Sequence, residues 1–189
     1  MEEEQRDKAH GKENKTTKTE LREWIKSILT AIILAFLIKT FIFNTTYVLG
    51  NSMNPTLQEK DRLFAIKVAL FFSGPDRGDV VVLEAPDDPT KDYIKRVIGI
   101  EGDRVDIIDG KVYLNGEELY EDYIKESAYT HIFYGDTWEV GQGEVFLLGD
   151  NRSEGASKDS RYFGCVEIES LKGITDFRYF PFDNRFGKI

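Results

Sequence analysis

Ser52 stands in a short polar turn, Gly50-Asn51-Ser52-Met53-Asn54-Pro55-Thr56-Leu57, that follows a long apolar run. Gly50 tolerates backbone angles closed to other residues, and Pro55 fixes its own φ and favours an extended Asn54. Such a turn can expose a hydroxyl beside backbone N–H groups, which an acyl-transfer site needs. Because serine in a turn more often serves local hydrogen bonding, the turn alone does not establish a nucleophile.

A nucleophilic serine needs a base, and neither His10 nor His131, the only two histidines, has a partner cluster in the sequence. The other route is a lysine whose amine is kept neutral by burial. Lys95 lies in the β-branched and aromatic run 93–99, where alternation predicts a strand with Lys95 on the same face as Val97. Such a lysine is either buried, at a cost in desolvation free energy, or extends its amine to solvent. The sequence of the run is compatible with either arrangement.

A third block is dense in charges and hydroxyls. Gly149-Asp150-Asn151-Arg152 is followed shortly by Ser157-Lys158-Asp159-Ser160-Arg161. Two acids, two arginines and two serines so close together could build a buried network of ion pairs and hydroxyls. They could equally form an ordinary solvated loop.

The three blocks, in this order, resemble the bacterial type I signal peptidases, the membrane-anchored Ser/Lys leader peptidases of peptidase family S26. The matching residues are Ser52-Met53-x-Pro55-Thr56-Leu57, Tyr93-Ile94-Lys95-Arg96-Val97-Ile98-Gly99 with Gly102-Asp103, the Gly-Asp-Asn-Arg and Asp-Ser-Arg blocks, and the closing Tyr179-Phe180-Pro181-Phe182. The resemblance covers nearly the whole chain. It implies a mostly β fold: an antiparallel β Ser/Lys protease body with a smaller β-hairpin insertion and one N-terminal transmembrane helix.

The resemblance also implies roles for individual residues. Ser52 would be the nucleophile and neutral Lys95 the general base. The supporting positions are Ser157, Asp150, Arg152, Asp159, Arg161 and Arg96. The positions that match substrate clefts accepting small residues at the first and third places before the cut are Val48, Met53, Leu57, Tyr93 and Ile94. No metal and no cofactor is implied.

The chain departs from the family pattern at two places. Some family members carry a serine two positions before the nucleophile as an oxyanion donor, and this chain has Gly50 there. The chain also has two extra residues between Arg152 and Asp159. Counting forward from Arg152 puts Gly155 at the family's serine position, whereas counting back from Asp159 puts Ser157 there. We predict Ser157, because glycine has no side chain to orient an amine, with the extra residues in a surface loop.

Charge and cysteine content exclude several classes of protein. The formal net charge is −9, and it is uneven: residues 44–189 hold 17 Lys/Arg against 27 Asp/Glu, a balance of −10. Such acidity argues against nucleic acid as a partner. Cys165 is the only cysteine, so the chain can form no internal disulfide.

The apolar run that begins at Trp24 predicts a membrane anchor over 24–43, after a polar tail, 1–23, expected to be disordered and cytoplasmic. A buried or surface amphipathic helix is the alternative. The flank after residue 43 lacks a small-x-small cleavage site, so we expect the anchor to be retained. Six basic residues precede the run and none lies between Thr40 and Glu59, which predicts a single pass of the cell membrane with the body outside.

The remaining pattern predicts a catalytic β domain from 44–102 and 145–189, interrupted by an inserted β subdomain at 103–144. Asp109-Gly110 predicts a hairpin between Arg104–Ile108 and Lys111–Leu114, and Asn115-Gly116 a second turn. The apolar pair Phe71-Phe72 lies in a predicted linker, where it could fill the core or contact a membrane surface. Nothing in the insertion predicts chemistry.

Together these features predict a serine endopeptidase that removes signal peptides from exported precursors at the outer face of the cytoplasmic membrane. Its expected partners are secretory precursor proteins and the lipid bilayer, with no nucleic acid. Two alternatives stay open. A self-cleaving repressor shares the Ser/Lys chemistry but needs a DNA-binding domain, and a membrane-anchored binding module would have lost catalysis.

Overall fold

The computed structural model describes residues 2–189, with side chains for 20–39, 42 and 44–189. The chain divides into two compact units, Met1–Phe41 and Ile42–Ile189.

The first unit is the helix α1, Glu2–Phe41. Residues 2–23, where a disordered tail was predicted, belong to this helix. Glu and Lys make up ten of these 22 residues and favour a helix, and no proline interrupts it. From Leu21 to Ile38 the large apolar side chains are exposed. Within the described part of the chain no helix is long and apolar enough to cross a membrane, so the anchor predicted over 24–43 is not confirmed.

The second unit is built from strands. The strands are β1 Phe43–Tyr47, β2 Arg62–Ile66, β3 Val80–Ala85, β4 Asp88–Ile100, β5 Arg104–Ile108, β6 Lys111–Leu114, β7 Glu117–Glu118, β8 Thr137–Glu139, β9 Glu144–Leu148, β10 Val166–Glu167, β11 Leu171–Phe180 and β12 Gly187–Lys188. The larger sheet has the order β1-β2-β11-β3-β4-β9-β10, with β12 paired to β11. Its pairings are antiparallel, which confirms the mostly β fold with antiparallel strands.

The smaller sheet has the order β7-β6-β5-β8 and lies within 103–144. The predicted hairpin is present, with Ile108 opposite Lys111. Asp109 and Gly110 both have positive φ, 50° and 78°, as a two-residue hairpin turn requires. Asn115 and Gly116 also have positive φ, at the turn from β6 to β7. The smaller sheet is therefore set largely by its two turn sequences.

The larger sheet buries β3 and β4 at its centre. Val80, Val81, Val82 and Leu83 are all buried, so β3 has apolar neighbours on both faces. Ile94 of β4 belongs to one apolar cluster, together with Met53 and Leu57 of the turn before β2, and Val97 belongs to another. Because the strand has a packed layer on each side, any polar residue in the middle of β4 must be buried too.

Two short helices complete the fold. Where a linker was predicted, α2 runs from Val68 to Phe72, and it leaves Phe71 and Phe72 exposed rather than in the core. The other helix, α3, runs from Ser160 to Phe163. Asp159 caps α3, since its side chain accepts a hydrogen bond from the backbone N–H of Arg161.

Candidate active site

The turn that carries Ser52 joins β1 to β2, and two of its apolar side chains pack into the core. Met53 and Leu57 are 2% and 0% exposed, and they hold the turn on the core. The N–H of Leu57 donates to the carbonyl of Met53, and that of Val48 to the carbonyl of Asp61, which closes the turn at both ends. Gly50 has a φ of +84°, a left-handed conformation that favours glycine. Ser52 is thus presented on a fixed loop.

Lys95 reaches Ser52 from the middle of β4. Its Nζ lies 2.9 Å from Ser52 Oγ and donates a hydrogen bond to it. The lysine is only 2% exposed, so it does not extend its amine to solvent. The two residues singled out from the sequence, 43 positions apart, therefore meet at hydrogen-bond distance, which is the geometry needed for proton transfer.

Burial lowers the pKa of Lys95 to about 8. Asp159 acts against this shift by stabilising the charged amine, and Arg161 acts with it. These two residues form a buried ion pair of their own, so their effects on the amine oppose each other. The aromatic ring of Tyr93 lies 5.1 Å from the amine. A substantial fraction of the amine is neutral near pH 8, and neutral amine can act as a base.

A cleft of about 400 Å³ opens beside Ser52 and Lys95. Val48, Met53, Tyr93 and Ile94, four of the residues predicted to bind substrate, line it. Leu57 does not: it is fully buried in the core cluster beneath the turn. Thr46, Tyr47 and Leu49 from the β1 side and Thr90, Lys91 and Asp92 from β4 also line the cleft and were not predicted.

Asp150 joins the Lys95 strand to the Ser52 turn. Its carboxylate accepts two hydrogen bonds from Arg96, at 2.9 and 2.7 Å. It also accepts one from the Thr56 hydroxyl at 2.5 Å. The next residue, Asn151, donates its backbone N–H to the Ser52 carbonyl at 2.9 Å. The block after β9 therefore holds the backbone of the turn directly.

Asp159 and Arg161 form a second buried pair, 0% and 1% exposed. Arg161 donates to both carboxylate oxygens, at 2.8 and 2.7 Å. Burial alone would raise the pKa of Asp159, but the hydrogen bonds and charge of Arg161, together with the Gly149 N–H and the Ser157 hydroxyl, outweigh it and hold the pKa below its usual range. Asp159 also accepts the backbone N–H of Gly149 at 3.0 Å. The pair thus fixes the start of the Asp150 block.

Ser157 is 2% exposed and lies beside this block. No described group makes a hydrogen bond of ordinary length to its hydroxyl, although the hydroxyl is near enough to Asp159 to help lower that pKa. Ser153, Glu154 and Gly155 are exposed in the preceding turn. The structure therefore brings Ser157, and not Gly155, to the interior, as counting back from Asp159 predicts.

Arg152 is buried and tied to residues that the sequence did not single out. Its Nε donates to the Gly149 carbonyl at 2.9 Å. Its guanidinium is paired with Glu121 and also donates to Thr130. The guanidinium of Arg96 lies 4.0 Å from the centre of the Tyr123 ring. The segment that contains Glu121 and Tyr123 is rich in acidic and aromatic residues, and no local pattern distinguishes these two from the others. The only available signal was that a buried arginine needs a carboxylate partner, which would have pointed to some acid of this segment.

A serine hydroxyl hydrogen-bonded to a buried lysine, at a cleft in an antiparallel β body, defines a candidate serine hydrolase site. The model of the family described as "Signal peptidase, peptidase S26" matches residues 21–180. The chain belongs to this family of peptidases.

Several relatives match over most of their length. The chain is 37% identical to a protein named signal peptidase I from Bacillus licheniformis, over 90% of this chain and 96% of that one. It is 35% identical to signal peptidase I S from Bacillus subtilis (strain 168), over 90% and 95%. A crystal structure of a signal peptidase I from Enterococcus faecalis V583 is 32% identical and covers 53% of this chain and 95% of its own, with a TM-score of 0.44.

Proposed function

We propose that this protein is an endopeptidase that removes signal peptides from secretory precursor proteins, with Ser52 as nucleophile and neutral Lys95 as general base. The observation that carries the proposal is the 2.9 Å contact between Lys95 Nζ and Ser52 Oγ at a buried position. Membership in the signal peptidase family supports the substrate class.

The reaction follows from this contact. Neutral Lys95 takes the proton of Ser52 as Oγ attacks the carbonyl carbon of the scissile peptide bond. Protonated Lys95 then returns that proton to the departing amine, which leaves with the C–N bond electrons, and an acyl-serine ester remains. Lys95, neutral again, takes a proton from a water molecule that attacks the ester, and the proton returns to Ser52 Oγ. The step conserves atoms and needs no cofactor.

The backbone N–H of Ser52 is the donor we assign to the oxyanion. Gly50 cannot supply a side-chain donor, and its φ of +84° would strain any other residue there. The backbone near Ser52 is held by Asn151, which donates to the Ser52 carbonyl. A fixed N–H stabilises the developing charge without reorganisation during the reaction.

The cleft fits an extended peptide with small side chains near the cut. Its volume of about 400 Å³ must hold both the backbone and the side chains of the bound peptide segment, which favours small side chains. Val48, Met53 and Ile94 are 4%, 2% and 9% exposed, so they present little apolar surface to the cleft. We assign to this surface the preference for small residues before the scissile bond.

We further propose that α1 carries the membrane anchor, with the N-terminus cytoplasmic and the body outside. The exposed apolar side chains between Leu21 and Ile38 support lipid contact, since soluble helices seldom expose such a series. Protease added to intact spheroplasts should degrade the body and spare an N-terminal tag. Degradation of the tag, with a protected body, would reverse the assigned orientation.

Cleavage of a precursor by the purified full chain in detergent tests the enzymatic proposal. Ser52→Ala and Lys95→Met should each abolish cleavage while leaving the far-UV circular dichroism unchanged. Ser153→Ala and Lys111→Met are matched controls, because both residues are exposed and neither lines the cleft, and they should retain activity. Substantial turnover by Ser52→Ala or Lys95→Met would reject the dyad. Precursor binding without cleavage by the wild-type protein would indicate a binding module instead.

A further inference from the structure

The segment between β7 and β8, residues 119–136, supplies the counter-charge for Arg152. Arg152 is 1% exposed, and the Glu121 side chain that pairs with it is 5% exposed. Glu121 Oε2 accepts from Arg152 Nη1 at 2.9 Å, and Oε1 accepts from Nη2. The guanidinium cannot lose its charge, so it is stable in the interior only with this carboxylate in place.

Tyr123 links the same carboxylate to the other buried arginine. Its hydroxyl donates to Glu121 Oε1 at 2.7 Å, and its ring lies under the Arg96 guanidinium at 4.0 Å. Burial, together with Glu121, raises the pKa of Tyr123, so the phenol stays protonated and remains a donor. Within the segment 119–136, Glu121 therefore contacts Arg152, and Tyr123 contacts Arg96.

The two arginines hold adjacent residues of one tripeptide, Gly149-Asp150-Asn151. Arg152 holds the carbonyl of Gly149 at 2.9 Å, and Arg96 holds the carboxylate of Asp150. Asn151, which follows them, donates to the carbonyl of Ser52 at 2.9 Å. A shift of either arginine is thus transmitted to the backbone of the nucleophile through no more than three residues.

We propose that Glu121 and Tyr123 are positioning residues for peptide cleavage: they fix the Ser52 turn by holding Arg152 and Arg96. The inference rests on the function proposed above. Neither residue lines the cleft at Ser52 and Lys95, so each acts on the reaction through the arginines. The inserted segment is then part of the catalytic apparatus, although none of its residues reaches the reacting atoms.

Such a role predicts a loss in kcat rather than in KM. Misplacement of a reacting group by about 1 Å can slow a reaction by roughly a hundredfold. We expect Glu121→Gln and Tyr123→Leu each to lower kcat by about tenfold or more, with KM within about twofold of wild type. The midpoint of the pH profile should not move, because neither residue is among the charges that shift the pKa of Lys95. Tyr123→Phe keeps the ring beneath Arg96 and should lose less than Tyr123→Leu.

Matched controls exist in the same stretch of chain. Glu118 pairs with Lys111 on the surface, with a side chain 49% exposed, and Tyr120 is 88% exposed. Glu118→Gln and Tyr120→Leu should leave kcat and KM unchanged. All variants are assayed as full chains in detergent, well below their melting temperatures, with kcat referred to folded protein. A purely structural role would lower the melting temperature but leave this kcat at the wild-type value.

The outcomes separate this inference from the proposed function. Wild-type protein and Ser52→Ala are assayed alongside, and a wild type that cleaves no precursor overturns the proposed function and this inference together. An active wild type with Glu121→Gln and Tyr123→Leu at full kcat overturns only the positioning role. If Glu121→Gln does not fold, Tyr123→Leu and Tyr123→Phe decide, and a normal kcat in both rejects the proposal.

Discussion

Gly149 packs so closely on Ser157 that a methyl group at Gly149 would lie 2.3 Å from the Ser157 hydroxyl oxygen. The same methyl group would lie 2.5 Å from the backbone carbonyl oxygen of Ser52. Ser157 and the turn that carries Ser52 therefore face each other across a residue with no side chain. The absence of a Cβ at Gly149 is what lets the block after β9 reach the turn.

Gly149→Ala should consequently damage both stability and cleavage. The Ser157 side chain can rotate away, but the Ser52 carbonyl belongs to the backbone, so the turn itself must shift. Overpacking of this kind costs about 1–3 kcal/mol, and we expect kcat to fall by at least about tenfold. Gly135→Ala is the control, since its added methyl would meet only Trp138, at 3.8 Å. Normal cleavage by Gly149→Ala would mean that the position of the turn does not limit the reaction.

The pH dependence of cleavage should report the Lys95 amine. The base must be neutral, so kcat/KM should rise with pH through about 8, the lowered pKa of Lys95, and level off above it. Tyr93 lines the same cleft, but burial raises its pKa to about 12, so it cannot account for a midpoint near 8. Tyr93→Phe should therefore leave the midpoint in place. A rise only near the ordinary lysine value of 10.5 would show that the amine is not desolvated.

The buried amine should also destabilise the protein at neutral pH. Below pH 8 Lys95 is protonated in the folded and unfolded states, and the cost of burying its charge is fully present. Between pH 8 and 10.5 the unfolded chain binds more protons than the folded one, so stability rises with pH in that window. The pKa difference corresponds to about 3 kcal/mol. Lys95→Met should thus raise the melting temperature at pH 7.

The gain from Lys95→Met should shrink as the pH rises from 8 to 10.5, because the folded wild-type amine is neutral over most of this window and its burial no longer costs a charge. Thermal unfolding of wild type and variant at pH 7 and above pH 10 measures this difference. Lys91→Met controls for the loss of a surface lysine, because Lys91 pairs with Asp88 with a side chain 65% exposed. A gain of equal size at both pH values would trace the effect to packing of the methionine and not to the buried charge.

The sequence predicted those features of the fold and of the candidate site that depend on short local patterns of residues. Asp109-Gly110 predicted its hairpin because few residues other than Asn, Asp and Gly adopt two successive positive φ angles. The three blocks predicted that Ser52 and Lys95 would meet, although 43 positions separate them, because their order and composition matched a known site.

Tertiary pairing decided what the sequence did not predict. The anchor was predicted to extend to residue 43, yet Phe43 begins β1, because it pairs with Ile66 of β2. Leu57 matched a substrate-binding position, but it fills the core below the turn. The partner of Arg152 depends on which acid of the inserted segment folds back over the Asp150 block. The segment contains several acids, and the sequence alone does not distinguish Glu121 from the others.

Ser157 and Ser153 provide the last test, because they lie on the same loop and differ in burial. Ser157 is 2% exposed and lies near the Ser52 carbonyl across Gly149, whereas Ser153 is exposed. We expect the Ser157 hydroxyl to orient the Lys95 amine while it accepts the serine proton. Ser157→Ala should then lower kcat by an order of magnitude or more, and Ser153→Ala should be silent.

The stability of Ser157→Ala separates this role from a structural one. The Ser157 hydroxyl makes no ordinary hydrogen bond to a described group and only assists Arg161 in stabilising the charged Asp159, so its removal should lower the melting temperature only slightly. A folded, stable variant with low kcat and an unaltered KM would support orientation of the base. A damaging Ser153→Ala beside a harmless Ser157→Ala would instead place the two extra residues elsewhere in the loop and assign the family's serine position to another residue.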